Sequence, residues 1–183
     1  MSGNNYKVGI IGAGAIVETA HLPVLKVLDK TEVVWVYDRN EDRSGLISRM
    51  FEVPVIKEEK LAASIAAIDI CLLSIPYGAR AAYFQICAEN EIAVYAEKPF
   101  ATSTDEHKKL CSMFSLHKLA VGFQRRTYSI VHLLKHLIRD EIFGKLEEII
   151  FIEGYFNLKS GKEYLSNSSL SGGGGIIESA IHA

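Results

Sequence analysis

The chain has 183 residues, of which 49% are hydrophobic and 23% charged, and its formal net charge is −2. This is the composition of a soluble globular protein, and the near-neutral charge gives no reason to propose a nucleic acid or a membrane surface as partner. The longest apolar stretch, residues 62–76, contains Asp69 and is too short to span a bilayer. The three cysteines (Cys71, Cys87 and Cys111) lack paired spacing, which predicts reduced thiols in a cytoplasmic protein and no metal site.

The first element is an apolar run that ends in a glycine turn. Residues 6–11 predict a strand and residues 15–28 a helix, with Gly12 and Gly14 between them. This order is typical of a phosphate-binding turn, because a missing Cβ at Gly14 lets a pyrophosphate approach the N–H groups of the helix. The third position of the G-x-G-x-x-G/A fingerprint is Val17, which predicts a helix pushed slightly outward. An ordinary tight turn is the alternative.

The following residues alternate between apolar strands and helices. Strands are predicted over residues 32–37, 53–56, 69–75, 93–96 and 119–122, and helices over residues 42–50, 61–67, 78–89 and from Ser103 onward. Ser103 and Glu106 have the spacing of a capping box. Because nearly every strand is apolar throughout, we predict an α/β fold, a doubly wound parallel sheet of the Rossmann type that is covered on both sides.

The pattern changes after Gly122, where we place a domain boundary between residues 1–122 and 123–183. A helix is predicted over residues 130–138 and a strand over residues 146–156. The remainder is rich in serine, glycine and asparagine, reaches four consecutive glycines at 172–175 and ends in the start of a helix.

Two residues at predicted strand ends could bind a nucleotide. Asp38 follows the second strand, where a carboxylate can accept hydrogen bonds from both ribose hydroxyls and repel a 2′-phosphate, which favours NAD. Arg39 keeps NADP possible, because a guanidinium beside the ribose tolerates a phosphate. The alternative is that residues 38–40 only cap the next helix.

Lys98 lies in Glu97-Lys98-Pro99, at the carboxyl end of the predicted strand 93–96. Ligands of open α/β sheets gather at this edge, and a lysine near nicotinamide could stabilise a developing alkoxide. Glu97 could orient the lysine. The alternative is a surface lysine on a loop.

Several histidines have suggestive spacing. Glu178 and His182 are four residues apart on one helix face, which fits a proton-transfer unit, with a solvated helix terminus as the alternative. His132 and His136 have the same spacing but no third ligand nearby, which indicates an exposed helix face. His21 is ambiguous between a core histidine and a contact near the cofactor.

Six motifs together resemble the glucose–fructose oxidoreductase/inositol dehydrogenase (Gfo/Idh/MocA) family of nicotinamide-dependent oxidoreductases. They are G-x-G after the first strand, H-L-P at 21–23, A-E-K-P-F-A at 96–101, V-G-F-Q-R-R at 121–126, I-F-G-K-L at 142–146 and G-G-G-G-I-I-E-S-A-I-H at 172–182. The resemblance runs the length of the chain. It implies a Rossmann domain followed by the start of an α/β domain that binds a sugar, an inositol or a nucleotide-sugar.

The resemblance implies hydride transfer between nicotinamide and a carbinol carbon of such a substrate. The implied catalytic residues are Lys98, Glu178 and His182, and the implied substrate-binding residues are Lys98, Gln124, Arg125, Arg126 and His182. The predicted cofactor-binding residues are Gly12, Gly14, Ala15, Ile16, Asp38, Arg39, Ser74, Pro76, Glu97 and Lys98. The expected cofactor is NAD, with NADP possible.

Three departures from the family pattern matter. The family's aspartate is Glu178 here, the third fingerprint position is Val17, and the sequence contains only the opening of the second domain. A fragment, a truncated gene and a natural short form are the alternatives for this last departure. A dinucleotide-binding module without turnover, used for sensing or assembly, is the alternative function. The apolar strand predicted over residues 146–156 further indicates a homo-oligomer, in which residues 145–183 are ordered against a second copy.

Overall fold

The computed structural model describes residues 5–152 together with Asn167 and Ser171. Five parallel strands form one sheet in the order β2-β1-β3-β4-β5. The strands are β1 (Tyr6–Ile11), β2 (Thr31–Tyr37), β3 (Ile70–Leu73), β4 (Ala93–Ala96) and β5 (Leu119–Val121). The chain moves outward from β1 to β2 and then crosses over to β3, so a topological switch point lies between β1 and β3. The predicted parallel α/β sheet of the Rossmann type is confirmed.

Helices connect these strands. They are a π-helical turn (Val17–His21) that continues into α1 (Leu22–Leu25), then α2 (Glu41–Phe51), α3 (Glu58–Ile65), α4 (Ala81–Glu89), α5 (Thr104–Ser112) and α6 (Ser129–Arg139). Short 3₁₀ turns cover Tyr77–Ala79 and Gln124–Thr127. α5 starts where it was predicted to start: Ser103 is its N-cap, and the Ser103 hydroxyl accepts the N–H of Glu106 at 3.2 Å. The Glu106 carboxylate accepts the N–H of Thr102 at 2.9 Å, one residue before the cap.

Apolar side chains cover both faces of the sheet. Val8 and Ile10 of β1 pack on one face, against Val17, Leu22 and Ile47 of the first two helices. Alternate strand residues face the other side, where they pack against α3 and α4; this second cluster includes Ile11, Cys71, Leu73, Leu61, Ile65, Phe84 and Cys87. Burial on both faces is the reason that the strands lack a polar alternation in sequence.

Gly9 makes room for the single tryptophan of the chain. Gly9 of β1 lies beside Trp35 of β2 in the register, and a Cβ on Gly9 would overlap the indole ring. The ring is 5% exposed, and its Nε1 has no hydrogen-bond partner among the residues that the structure describes. The register of β1 on β2 shifts between Val8 and Gly9, next to this contact.

Two strand predictions are wrong in detail. The segment 53–56 forms one isolated bridge, between Val55 and Val36, and β5 is therefore the fifth strand of the sheet and not the sixth. Pro54 offers only its carbonyl, which accepts the N–H of Val36 at 2.9 Å, and it has no N–H with which to extend the ladder.

The strand predicted over residues 146–156 is also not formed in residues 146–152, the part of it that the structure describes. Residues 146–152 have no regular secondary structure, and Ile149, Ile150, Phe151 and Ile152 are exposed. A strand needs a neighbour for its hydrogen bonds, and none of the described strands adjoins this segment. Residues 153–156, the glycine run at 172–175 and the predicted helix after it lie outside the described residues.

The first helix ends at Leu25, three residues before the predicted end. Its apolar pattern extends to Leu28 in sequence, but Val27 is 79% exposed and Leu28 is 48% exposed. The apolar residues beyond Leu25 therefore do not belong to the buried stripe.

Candidate functional site

A cleft of about 840 Å³ opens at the carboxyl ends of the strands, across the switch point between β1 and β3. Open α/β sheets bind their ligands at this place. All ten residues that the sequence predicts as cofactor-binding line the cleft: Gly12, Gly14, Ala15, Ile16, Asp38, Arg39, Ser74, Pro76, Glu97 and Lys98. The structure thus brings together residues that are up to 86 positions apart in the chain, from 12 to 98.

The two glycines of the first turn have different surroundings. Gly12 has φ +104°, and a Cβ there would overlap the carbonyl oxygen of Ser74, at the end of β3. Gly14 does not have a left-handed φ, and a Cβ there would meet nothing within 4 Å. Gly12 therefore lets β1 and β3 approach each other. Gly14 instead leaves open space at the start of a helix, the place where a helix has backbone N–H groups without an i−4 carbonyl to bond.

Side chains from the β2–α2 region hold the peptide between these glycines. The Asp38 carboxylate accepts the N–H of Ala13 at 2.6 Å. Arg43 donates to the carbonyl of Ala13 from Nε at 3.1 Å and from a terminal nitrogen at 2.9 Å. The second bond comes from the nitrogen that also pairs with Glu18 at 2.9 Å. The turn is therefore fixed on both its donor and its acceptor side.

Asp38 has more than one role at this edge of the cleft. Its other oxygen accepts the N–H of Asn40 at 2.8 Å, and Asn40 is the residue that caps α2. The capping alternative thus applies to Asn40 and not directly to Asp38. Each carboxylate oxygen has two lone pairs, so Asp38 keeps acceptor capacity toward the cleft.

Val17 occupies the third fingerprint position and is fully buried. The helix is π-helical over Val17–His21. The π-helical turn, which is wider than an α-helical one, thus begins at the residue that stands where the fingerprint has glycine or alanine.

His21 and Glu97 form a hydrogen-bonded pair on the wall of the cleft. The His21 Nε2 lies 2.7 Å from a Glu97 oxygen, and the two side chains are 16% and 17% exposed. The ring of Tyr95 meets His21 edge-on at 5.6 Å between centroids. Gly122 packs closely behind, because a Cβ there would lie 3.1 Å from the second Glu97 oxygen. His21 is therefore a cleft residue bound to the E-K-P segment.

These contacts keep Glu97 ionised. Burial acts to raise the pKa of Glu97, but the hydrogen bond and charge of His21, the N–H of Lys98 and the positive charge of Arg80 together bring the pKa below its usual value. Glu97 is consequently a carboxylate at neutral pH, and Lys98 follows it directly in the chain.

Arg80 is a site residue that the sequence analysis missed. It is 3% exposed and lines the cleft, and its guanidinium donates to carbonyls of the Glu97–Lys98–Pro99 segment. The available signal was a single cation among apolar residues just after a strand end, in I-P-Y-G-A-R-A-A.

The predicted substrate-binding residues are only partly gathered in the cleft. Gln124 lines it, whereas Arg125 and Arg126 are not among its lining residues. The guanidinium carbon of Arg126 lies 4.5 Å from the centroid of the Phe123 ring. Glu178 and His182 lie outside the described residues, although Ser171 lines the cleft.

The paired histidines of α6 do not form a metal site with other described residues. His132 and His136 lie on the exposed α6, and the Nδ1 of His136 lies 2.9 Å from an Arg139 nitrogen. Within residues 5–152, Asn167 and Ser171, no three His, Cys, Asp or Glu side chains are grouped so that they could hold a metal ion. Across the same residues, no helix has the length and apolar character needed to cross a membrane.

Comparison with protein-family models gives one match. Residues 6–124 match the model of the Gfo/Idh/MocA oxidoreductase family, described as an NAD-binding Rossmann fold. The matched range contains the whole sheet and every cleft residue except Ser171.

Comparison with individual proteins gives sugar-modifying relatives. The chain is 24% identical over 153 residues to the dTDP-3,4-didehydro-2,6-dideoxy-α-D-glucose 3-reductase of Saccharopolyspora spinosa. The aligned region covers 81% of this chain and 45% of that relative. Solved structures with the same fold include a 3-ketoreductase from Actinomadura kijaniata in complex with NADP and TDP-benzene, at TM-score 0.65 and 20% identity over 75% of this chain and 43% of that one.

Two further structures share the fold. One is apo scyllo-inositol dehydrogenase from Lactobacillus casei, with TM-score 0.68 and 16% identity over 79% of this chain and 44% of that one. The other is a candidate NADPH-dependent oxidoreductase from Desulfitobacterium hafniense, with TM-score 0.75 and 18% identity over 98% of this chain and 53% of that one. The chain thus spans about half the length of the proteins that it matches.

Proposed function

Because the chain belongs to the Gfo/Idh/MocA family of NAD(P)-dependent oxidoreductases, we propose that it binds NAD(H) across the switch-point cleft and transfers a hydride between nicotinamide and a carbinol carbon of a sugar, inositol or nucleotide-sugar substrate. The observation that carries this proposal is the open space at Gly14, on a glycine turn that Asp38 and Arg43 fix from both sides. A diphosphate fits there, next to the first turn of a helix.

The cleft residues fit a dinucleotide along its whole length. Asp38 at the end of β2 would hold the adenosine ribose, and residues 12–16 would hold the diphosphate. The nicotinamide half would then lie toward β3 and β4, beside Ser74 and Lys98. The Ser74 hydroxyl is buried and lacks a hydrogen-bond partner among the described residues. A polar atom of a bound ligand would satisfy it.

NAD is the proposed dinucleotide because of charge at the β2 edge. Asp38 would repel a 2′-phosphate at close range. Arg39, which also lines the cleft, is exposed and keeps NADP binding possible at lower affinity.

When bound, the nicotinamide ring supplies or accepts the hydride. Lys98 stabilises the negative charge that develops on the substrate oxygen. Glu97 is kept as a carboxylate by His21 and sets the backbone direction at Lys98, whose N–H it accepts at 3.3 Å. His182 exchanges the substrate hydroxyl proton, and Glu178 positions His182 or the substrate; these last two roles are predictions from the spacing of the two residues and from the family resemblance.

The proposal is tested by dinucleotide titration and turnover with the full chain. We expect NADH to bind about tenfold more tightly than NADPH, and NAD(H)-linked turnover with a panel of polyols and nucleotide-sugars. Lys98→Met should lower kcat by about 100-fold and change the NADH Kd by less than about threefold, because the lost interaction acts mainly in the transition state.

Lys108→Met, on the exposed part of α5, is the matched control and should leave both quantities unchanged. Full activity of Lys98→Met would show that the role given to Lys98 is wrong. Tight NADH binding without turnover on any substrate would favour the binding module for sensing or assembly. Absence of binding to either dinucleotide would contradict both functions.

We also propose that the chain associates with a second copy through the surface formed by α6 and residues 142–152. This surface exposes apolar side chains that a lone soluble chain rarely leaves in contact with water: Ile130, Leu133, Leu134, Ile138, Ile142, Phe143, Ile149, Ile150, Phe151 and Ile152.

Light scattering tests the association. We expect a mass of at least twice the 20.3 kDa of one chain. Phe151→Glu should shift the population toward monomer, because a carboxylate would be buried at the contact. Leu116→Glu, at an 84% exposed position outside α6 and residues 142–152, is the control. A monodisperse wild-type monomer would contradict the proposal.

A further inference from the structure

The buried guanidinium of Arg80 lies between two loops that border the cleft. Arg80 precedes α4, and its Nε donates to the carbonyl of Ile75, after β3, at 2.8 Å. A terminal nitrogen donates to the carbonyls of Glu97 and Pro99, the latter at 2.7 Å, and the other terminal nitrogen lies 3.4 Å from the carbonyl of Lys98. One side chain therefore contacts three successive carbonyls of the loop after β4.

This arrangement is unusual for a cation in a protein core. An arginine is almost never buried without compensation, because the removal of a charge from water is strongly unfavourable. Carbonyl oxygens compensate it here, and the planar fork of the guanidinium, with five N–H donors, reaches carbonyls on both loops. An apolar side chain at this place would avoid the cost of desolvating a charge. The reason for an arginine is therefore the connection that it makes.

The connected loops carry the residues proposed for the nicotinamide half. The loop after β3 contains Ile75 and Pro76, and the loop after β4 contains Lys98. The far end of the first loop has its own attachment, because the Tyr77 hydroxyl donates to Glu106 of α5. Since Arg80 directs its donors to carbonyls of the chain, it acts on a ligand through the loops.

We propose that Arg80 is a positioning residue that joins the loops after β3 and β4 and thereby sets the place of the nicotinamide ring relative to Lys98. This inference rests on the proposed function, because it takes the ligand to be a nicotinamide dinucleotide. It predicts that Arg80 affects the nicotinamide half of the ligand and leaves the adenosine diphosphate half, at Asp38 and the glycine turn, unaffected.

The test compares NADH with ADP-ribose, which lacks the nicotinamide ring, by titration of the wild-type chain, Arg80→Met and Arg80→Lys. For Arg80→Met we expect the Kd for NADH to rise about tenfold and the Kd for ADP-ribose to stay within about twofold. The emission of bound NADH should also fall toward that of free NADH, because the ring is no longer held in the cleft. Arg80→Lys keeps the charge without the fork and should give intermediate values.

Arg49→Met, at an exposed position on α2, is the matched control and should behave as wild type. Equal weakening of NADH and ADP-ribose would overturn the inference, because it would indicate a general loss of structure. Unchanged NADH affinity and emission in both Arg80 variants would also overturn it. Loss of cooperative unfolding in both Arg80 variants would overturn the inference as well, because the inference requires that the sheet folds without Arg80. Wild-type protein that binds neither ligand would instead overturn the proposed function together with this inference.

Discussion

Gly14→Ala should weaken dinucleotide binding by about 10- to 100-fold and leave the stability of the fold unchanged within about 1 kcal/mol. The added methyl group meets no protein atom within 4 Å, and Gly14 does not have a left-handed backbone conformation, so the folded chain has no reason to change. The methyl group does occupy the space through which a diphosphate would reach the N–H groups of the helix, and charge-assisted bonds to those groups would be lost.

Calorimetric titration with NADH and urea unfolding of the same samples measure the two effects separately. Wild-type affinity in Gly14→Ala would show that the diphosphate does not lie at this turn. The result would then leave the fold assignment intact, because the sheet and its switch point do not depend on Gly14.

Gly12→Ala should have the opposite profile and destabilise the fold itself by about 3 kcal/mol or more. Alanine at φ +104° is strained, and its Cβ would overlap the carbonyl oxygen of Ser74, which is backbone and cannot rotate away. The ends of β1 and β3 would have to separate, and these two ends form the floor of the cleft. Dinucleotide binding should therefore be lost as a consequence of the distortion.

Urea unfolding again provides the measurement for Gly12→Ala, with Gly45→Ala as control. Gly45 lies within α2, where a Cβ would contact only Arg49 at 3.5 Å, and alanine there should raise the free energy of unfolding by about 0.5–1 kcal/mol. A stability of Gly12→Ala equal to that of wild type would show that β1 and β3 do not approach each other as closely as described.

The fold and part of the cleft could be predicted wherever they depend on residues that are close together along the chain. Apolar runs without alternation predicted the parallel sheet, and their positions at the ends of such runs predicted Gly12, Asp38 and Lys98 as residues that contact the cofactor. These residues meet because neighbouring strands of a parallel sheet all end on the same side. The residues directly after β1 to β4 (Gly12, Asp38, Ser74 and Glu97) therefore all line the cleft, whatever their distance along the chain.

The contacts that fix the cleft could not be predicted in this way. Arg43 reaches Ala13 across 30 residues, and Arg80 reaches Pro99 across 19 residues. Periodicity and motif spacing contain no information on such pairs. The strand predicted over 146–156 failed for a related reason, because a β pattern gives the preference of a segment but not the presence of a neighbouring strand.

The contact between Gly9 and Trp35 has a consequence for how the two positions can vary among related sequences. The indole occupies the volume that any side chain at position 9 would need. A larger residue at position 9 is therefore acceptable only together with a smaller one at position 35, and a double replacement such as Gly9→Ala with Trp35→Val should be far less harmful than the sum of the two single changes. The pair should consequently show up as a covarying couple that links the first two strands, independent of any selection acting on the cleft.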